Sequence, residues 1–317
     1  MKILVTGGCG YKGHILVPEL LKAGHEVVVV DTLWFGNYHN PHPKLTIHKA
    51  DVRDLSSISL NGIDTLIHLA SIANDPCGDL NPKLTWETSC LATMQIADHS
   101  IRNSVKRFIY ASSGSVYGVK EEQFVTEDLT LEPISEYNKT KMVSERVLLS
   151  YADSMSIQIV RPATVCGLSP RMRLDVAVNM LTMQALTKGL ITVFGGQQVR
   201  PNIHIKDISS VYLYLLDNPN LQGIYNAGFE NISILDIAKR IQKNISCDIK
   251  IIESNDPRSY RLDSSKLLKS GFKPKYGIDY AIDEIVLAYK EGKISDDIIS
   301  YNVNWMKKNN LAKKVAA

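Results

Sequence analysis

The sequence predicts an α/β fold, a doubly wound parallel sheet with a smaller C-terminal substrate-binding lobe. Three observations carry this. Short apolar bursts alternate with amphipathic segments through the first half of the chain, the pattern of strands buried on both faces and joined by helices. The first burst runs straight into a glycine-spaced turn that opens a helix. Beyond about residue 170 the alternation fades into mixed helices and short strands, with no Gly/Ser-rich linker before the change. Residues 1–170 therefore form the dinucleotide-binding part and 171–317 mainly the lobe, from which the chain is free to cross back to the sheet.

The elements follow in order. "KILVT" is the first strand, and "TGGCGYKGH" follows it directly. Gly7, Gly10 and Gly13 have GxxGxxG spacing. Such a turn needs residues without a Cβ, so that backbone N–H groups can approach a pyrophosphate at the helix N-terminus. This is the Rossmann-type arrangement. Lys12 occupies a slot that is usually apolar in these turns. An ammonium there opposes the helix macrodipole at a cost of roughly a few tenths of a kcal/mol; either a diphosphate offsets this or the side chain runs to solvent. The helix "HILVPELLKAG" closes on Gly24, as a C-cap residue would close it.

"EVVVVD" is the second strand, and Asp31 at its end can accept both ribose hydroxyls of an adenosine. It would repel a 2′-phosphate, so the predicted cofactor is NAD and not NADP. "LTIHKAD" is the third strand, followed by Asp51, placed to meet the adenine or to cap the next turn. "DTLIHLA", "KRFIYAS" and "IQIVRP" complete the strands of this half. Between them lie the helices "PKLTWETSCLATMQIADHSIRNS" and "EYNKTKMVSERVLLSYADS". Parallel sheets of this kind bind ligands at the carboxyl ends of their strands.

Composition excludes several functions. The chain is 44% hydrophobic and 22% charged with a formal net charge of +3, which gives no case for nucleic acid or an anionic membrane as partner. Five widely spaced cysteines without a CxxC pair argue against a disulfide framework or a zinc knuckle, so no metal site is expected. No apolar run approaches the length of about 20 residues that spans a bilayer. "MKILVTGG" enters a strand at once, leaving no room for a signal peptide. A cytoplasmic protein is expected, with "KKNNLAKK" as a solvated tail.

The reacting end is read from "ASSGSVYG" and "SEYNKTK". Tyr137 and Lys141 have YxxxK spacing, which puts both on one helix face, one turn apart. Tyrosine, with an ordinary pKa near 10, is a poor base at neutral pH. An adjacent ammonium and the positive nicotinamide would lower that value, letting the phenol take a hydroxyl proton while hydride leaves the same carbon.

At this point the sequence resembles the extended short-chain dehydrogenase/reductases, in their nucleotide-sugar epimerase/dehydratase branch. The segments that carry the resemblance run along almost the whole chain: "TGGCGYKG", "HLASIANDP", "YASSGSVYG", "TEDLTLEPISEYNKTK", "VRPATVCG", "SPRMRLDVAVN", "FGGQQVRPNIHIKDIS" and "DPRSYRLDSSKL". The resemblance implies that Tyr137 is the catalytic acid/base, that Lys141 holds the nicotinamide ribose, and that Ser113 contacts both the tyrosine and the sugar, with Ser115 beside it. It implies that Tyr11, Val52, Leu69, Ala70 and Ser71 border the cofactor and that Pro162 lies near the carboxamide. Asn179, Arg200 and Arg258 match positions that hold the diphosphate of a nucleotide-activated sugar, a task suited to arginine forks. A homo-oligomer, dimer or higher, is expected by the same analogy.

Two departures bear on the reaction. Family members that eliminate water carry acidic residues after this serine, where the chain has Gly114 and Ser115; neither can act as the required acid or base. Asn138 and Cys166 stand where glycine and tyrosine are common, near the expected sugar pocket. The resulting expectation is an NAD-dependent epimerase or oxidoreductase acting on a nucleotide sugar at C4. A GDP-heptose-like C4 dehydrogenase or 4-keto-sugar reductase is the alternative. A 4,6-dehydratase ranks below these, and a non-catalytic dinucleotide sensor ranks last.

Overall fold

In the computed structural model, which describes residues 1–254 and 259–312, the first half alternates as the periodicity predicts. β1 (Lys2–Thr6), α1 (Gly13–Lys22), β2 (Glu26–Asp31), β3 (Leu45–Lys49) and β4 (Thr65–His68) come first. Next are α2 (Asp75–Leu80), α3 (Pro82–Trp86), a π-helical turn (Glu87–Leu91) and α4 (Ala92–Arg102). β5 (Arg107–Ala111), α5 (Glu136–Leu149) and β6 (Ser156–Pro162) complete this half. The second half comprises β7 (Thr164–Cys166), α6 (Ala177–Lys188), β8 (Leu190–Phe194), β9 (Val199–His204), α7 (Ile205–Asp217) and β10 (Gly223–Ala227). It ends with β11 (Glu230–Ser233), α8 (Ile234–Asn244), β12 (Asp248–Ile252), α9 (Ser265–Lys269), α10 (Ile278–Lys290) and α11 (Asn302–Lys308).

The main sheet has seven strands in the order β10-β6-β5-β4-β1-β2-β3, all parallel. Alternation along β1 shows why the sheet is buried on both faces. Ile3 and Val5 join the apolar layer with Leu16 and Leu20 of α1 and Ile208 and Val211 of α7. Leu4 points the other way, to Ile96 of α4 and Leu148 of α5. Each of these side chains is fully buried and stabilises the fold by about 1.5–3 kcal/mol.

Chain order reverses between β1 and β4, which opens a crevice at the carboxyl ends of the strands. The lobe over that crevice is centred on α6, α8 and α10, around Leu181, Ile237 and Ile282. Residues 205–227 leave the lobe and return to the sheet: α7 packs on α1, and β10 pairs with β6. The C-terminal segment also returns. In α11, Trp305 stacks on Trp34 and lies against Phe35, at centroid distances of 5.5 and 4.7 Å. The "KKNNLAKK" end is therefore solvated only in part, since Leu311 packs with this aromatic group and its carbonyl accepts from Asn81 Nδ2 at 2.8 Å.

Candidate active site

A cleft of about 440 Å³ lies at the switch point. Its floor is the glycine turn. Gly7 has φ +71° and its absent Cβ would lie 2.7 Å from the Ala70 nitrogen; at Gly13 a Cβ would meet the Gly8 backbone at 2.3 Å. Gly10 has only the Gly7 oxygen near, at 3.2 Å, which leaves its cleft side open. Among the described residues, the N–H groups of Tyr11, Lys12 and Gly13 have no acceptor, and three such donors at a helix start favour an anion.

Lys12 has two readings from sequence, a diphosphate contact or a run to solvent. Its side chain turns into the cleft, 6.0 Å from the Tyr212 ring centroid, and its ammonium makes no hydrogen bond or ion pair among the described residues. Burial, then the nearby Arg173, lowers its pKa to about 8. Asp31 closes β2 with Oδ2 on the Cys9 N–H (2.9 Å) and Oδ1 on the Leu33 N–H (2.8 Å). These bonds fix its orientation and leave lone pairs for hydroxyl donors. Asp51 also lines the cleft, but its carboxylate is engaged by Arg53 at 2.7 Å; the cap of the next turn is Asp54. Val52, Leu69, Ala70, Ser71 and Pro162 supply the remaining walls.

Across the cleft, α5 carries Tyr137 and Lys141. Ser135 caps the helix by accepting from the Asn138 N–H (3.2 Å), and its own hydroxyl donates to Asp75 (2.9 Å). Asp79 accepts from the Glu136 N–H at 3.2 Å, so carboxylates from α2 sit at the positive end of α5. Lys141 Nζ donates to the Ala111 carbonyl at 2.7 Å and lies 4.8 Å from the Tyr110 ring and 5.8 Å from the Tyr137 ring. Burial, then Lys12, brings its pKa down to about 7 against the pull of Glu145. Ser113 follows β5 and lines the same cleft as Tyr137, whose ionisation its hydroxyl favours.

The expected depression of the Tyr137 phenol is not what the protein's own groups produce. Burial, then the Asp75 carboxylate, pushes it up to about 12, against the Ser113 hydroxyl and then Arg173. Lys141 directs its ammonium to a carbonyl, and desolvation of the phenolate outweighs its field.

Three other expectations change. Asn179 does not line the cleft: it is fully buried, its Oδ1 accepting from the Gly167 N–H (2.9 Å) and its Nδ2 donating to Tyr11 Oη (3.0 Å) and the Arg173 carbonyl (2.9 Å). The amide braces the wall. Tyr11 lines the cleft, but its hydroxyl is spent on the Gly167 carbonyl at 2.6 Å. Cys166 faces the lobe core, away from the cleft. Arg200 does line the cleft from β9, and Arg258 lies outside the described residues.

The residues missed by sequence reasoning are cationic. Arg171 and Arg173 both line the cleft. Arg173 pairs with Asp175 at 2.8 Å. Arg171 stacks its guanidinium 3.7 Å from the Phe35 centroid and donates to Asn302 Oδ1 at 2.5 Å. Among the described residues, its buried Nε has no hydrogen-bond partner. The signal was the pair of arginines in "SPRMRLD", a segment whose extended course could not be placed without the fold. Trp34, Asn302 and Met306, also on the wall, gave no local sign at all.

This geometry has known counterparts. A profile described as the NAD dependent epimerase/dehydratase family matches residues 3–228. The chain is 28% identical to a UDP-glucose 4-epimerase of Lactobacillus helveticus, over 92% of this chain and 96% of that one. It is 34% identical to an uncharacterized UDP-glucose epimerase of Bacillus subtilis, over 76% and 81% respectively. A UDP-glucuronic acid 4-epimerase from Bacillus cereus, solved with UDP-glucuronic acid and NAD, matches with a TM-score of 0.80 at 28% identity, over 91% of this chain and 100% of that one. A match that runs unbroken from the glycine turn through the Tyr137 helix to β10 makes the chain a member of the NAD dependent epimerase/dehydratase family.

Proposed function

We propose that the protein is an NAD-dependent nucleotide-sugar epimerase or oxidoreductase that moves hydride at sugar C4, with Ser113, Tyr137 and Lys141 as its reacting set. One observation carries the reading: Tyr137 and Lys141 face, across one cleft, the glycine turn and Asp31. The cleft fits the cofactor by its chemistry. The N–H groups at the start of α1 and the Lys12 ammonium, without hydrogen-bond partners among the described residues, suit a diphosphate, and Asp31 suits a ribose diol. Arg171 and Arg173 add positive charge on the same wall.

NAD bound there supplies the hydride acceptor and, when oxidised, a positive ring that favours the ionised phenol. Tyr137 takes the proton from the C4 hydroxyl, Ser113 orients that hydroxyl, and Lys141 stabilises the charge formed on the phenol. Gly114 carries no carboxylate, and a Cβ there would make a tight contact, 3.2 Å from the Pro162 carbonyl. Ser115 is held by its neighbours. Elimination of water accordingly lacks its acid at this position. The nucleotide diphosphate falls to Arg200, with Arg258 as a second candidate. A cytoplasmic location and a homo-oligomer belong to the same proposal; among the described residues no helix is long and apolar enough to cross a membrane.

The test is mass spectrometry of products from a panel of UDP- and GDP-sugars, with Tyr137→Phe as control. Unchanged mass with altered C4 configuration is expected, and Tyr137→Phe should lower turnover at least about a hundredfold while retaining NAD. A product two hydrogens lighter or heavier would identify a net redox enzyme, and one lighter by water would overturn the reading.

A further inference from the structure

Helix α11 meets the cleft at a buried cation that has no carboxylate of its own. Arg171 is 3% exposed, lines the cleft and makes no ion pair among the described residues. Its guanidinium lies 3.7 Å from the Phe35 centroid, and its Nη2 donates to Asn302 Oδ1 at 2.5 Å. The buried Nε has no hydrogen-bond partner among the described residues. Asp175 is engaged elsewhere: it accepts from Arg173 Nε (2.8 Å), Asn74 Nδ2 (3.0 Å) and the Asn302 N–H (3.2 Å). Burial, then Arg173, lowers the pKa of Arg171 to about 9 against the pull of Asp175. A guanidinium enclosed in this way, with a donor to spare, calls for an anion.

The platform under Arg171 fixes its end of the cleft. Phe35 lies in the loop after β2. Before it, the Leu33 N–H donates to Asp31 at 2.8 Å; after it, the Tyr38 N–H donates to His14 Nε2 at 3.0 Å. His39 Nε2 donates to the Gly8 carbonyl at 2.9 Å, and the His14 and His39 rings stack at 4.3 Å. Both flanks of Phe35 are thus tied to the glycine turn or to Asp31, so Arg171 stands at that end. In agreement, Arg171 favours the ionised form of Asp31 and disfavours protonation of His14, whereas Arg173 acts on Lys12 and Tyr137. The C-terminal segment holds the other side. The Leu174 N–H donates to the Ser300 carbonyl at 2.9 Å, Trp305 stacks on Trp34, and Met306 packs with Ile72, Cys77 and Leu84.

We propose that α11 is a strap that retains the cofactor. Through Asn302 and the Trp34–Trp305 stack it holds Arg171 on Phe35, where the guanidinium grips the cofactor diphosphate together with the N–H groups at the start of α1. The inference rests on the cleft taking NAD, and it ties release of NAD to movement of the C-terminal segment. A nucleotide sugar carries the same diphosphate chemistry, so the experiment must separate the two sources.

Full-length protein freed of nucleotide is titrated calorimetrically with NAD, ADP-ribose and adenosine, and NAD-loaded protein with UDP and GDP. Arg171→Met keeps an apolar stem on Phe35 and removes the charged fork. It should weaken NAD and ADP-ribose by about tenfold to a hundredfold, the range of a hydrogen bond to a charged group, and leave adenosine, UDP and GDP unchanged. Trp305→Ala alters a side chain outside the cleft wall; it should weaken the same two ligands by a smaller factor and again spare adenosine. Three results would overturn the inference. An equal loss of adenosine would mean that the variants merely loosen the fold. A loss confined to UDP or GDP would assign Arg171 to the sugar nucleotide. Parental NAD affinity in Trp305→Ala would remove α11 from the task. A parent protein that binds no NAD would overturn the underlying reading as well, so the two failures are distinct.

Discussion

Gly78 places the strictest demand on the reacting geometry. It lies in α2, which packs on the start of α5, and a Cβ there would stand 2.8 Å from the Tyr137 nitrogen and 2.9 Å from its Cβ. Comfortable carbon contacts begin at about 3.5 Å, so Gly78→Ala requires a displacement of about 0.6–0.7 Å. The two helices cannot simply separate. Asp75 holds Ser135, Asp79 holds the Glu136 N–H, and Trp86 Nε1 donates to Glu136 at 2.7 Å. The strain therefore falls on Tyr137 itself. A misplacement near 1 Å can cost a reaction about a hundredfold, close to 2.7 kcal/mol in barrier, whereas overpacking destabilises the fold by about 1–3 kcal/mol. Steady-state kinetics on the nucleotide sugar, with NAD content and Tm measured alongside, separate the two effects. Gly62→Ala is the control, a positive-φ glycine (φ +70°) with nothing within 4 Å of its Cβ; it should lower Tm and leave kcat unchanged. A folded, NAD-loaded Gly78→Ala protein with parental kcat would refute the reasoning.

Lys12 should make NAD affinity depend on pH. Its pKa is lowered to about 8, and a diphosphate favours the charged form. Binding by the parent should therefore weaken as pH rises above about 8, by up to tenfold per pH unit, and titration calorimetry of Lys12→Met should give a flat profile; equal slopes would count against the contact. Asp31→Ala should weaken NAD binding and narrow the preference over NADP, and tighter binding of NADP by the parent protein would contradict the assignment. Arg200→Ala should raise KM for the nucleotide sugar with bound NAD unchanged, which absorbance of the purified protein and steady-state kinetics check together.

The legible parts of the molecule are those fixed by neighbours in sequence. The glycine spacing, Asp31 at the end of a strand, and Tyr137 one turn before Lys141 each follow from local geometry, and each lines the cleft. What escaped depends on long-range packing. Asn179 differs from a ligand only because Tyr11, 168 positions away, reaches its amide. Arg171 becomes part of the wall only because Phe35 and Asn302 arrive from opposite ends of the chain. The bond from Ser115 to Asn138 joins the turn after β5 to a helix start 23 positions on.

The Tyr137 and Lys141 pair shows why an ammonium by itself does not lower the phenol. A local view adds an ammonium to a tyrosine and expects an easier ionisation. The fold encloses both groups, which raises the phenol to about 12 and lowers the ammonium to about 7. Desolvation acts against both charged forms at once, so the protein alone keeps its acid protonated and its cation weak. The remedy must be charge brought into the cleft. A diphosphate beside Lys12 offsets the cation that most depresses Lys141, and a positive ring beside Tyr137 favours its ionisation. Both arrive with one cofactor. In the proposed reaction, proton removal is thereby tied to cofactor binding, and the tyrosine becomes a base only when a hydride acceptor is in place.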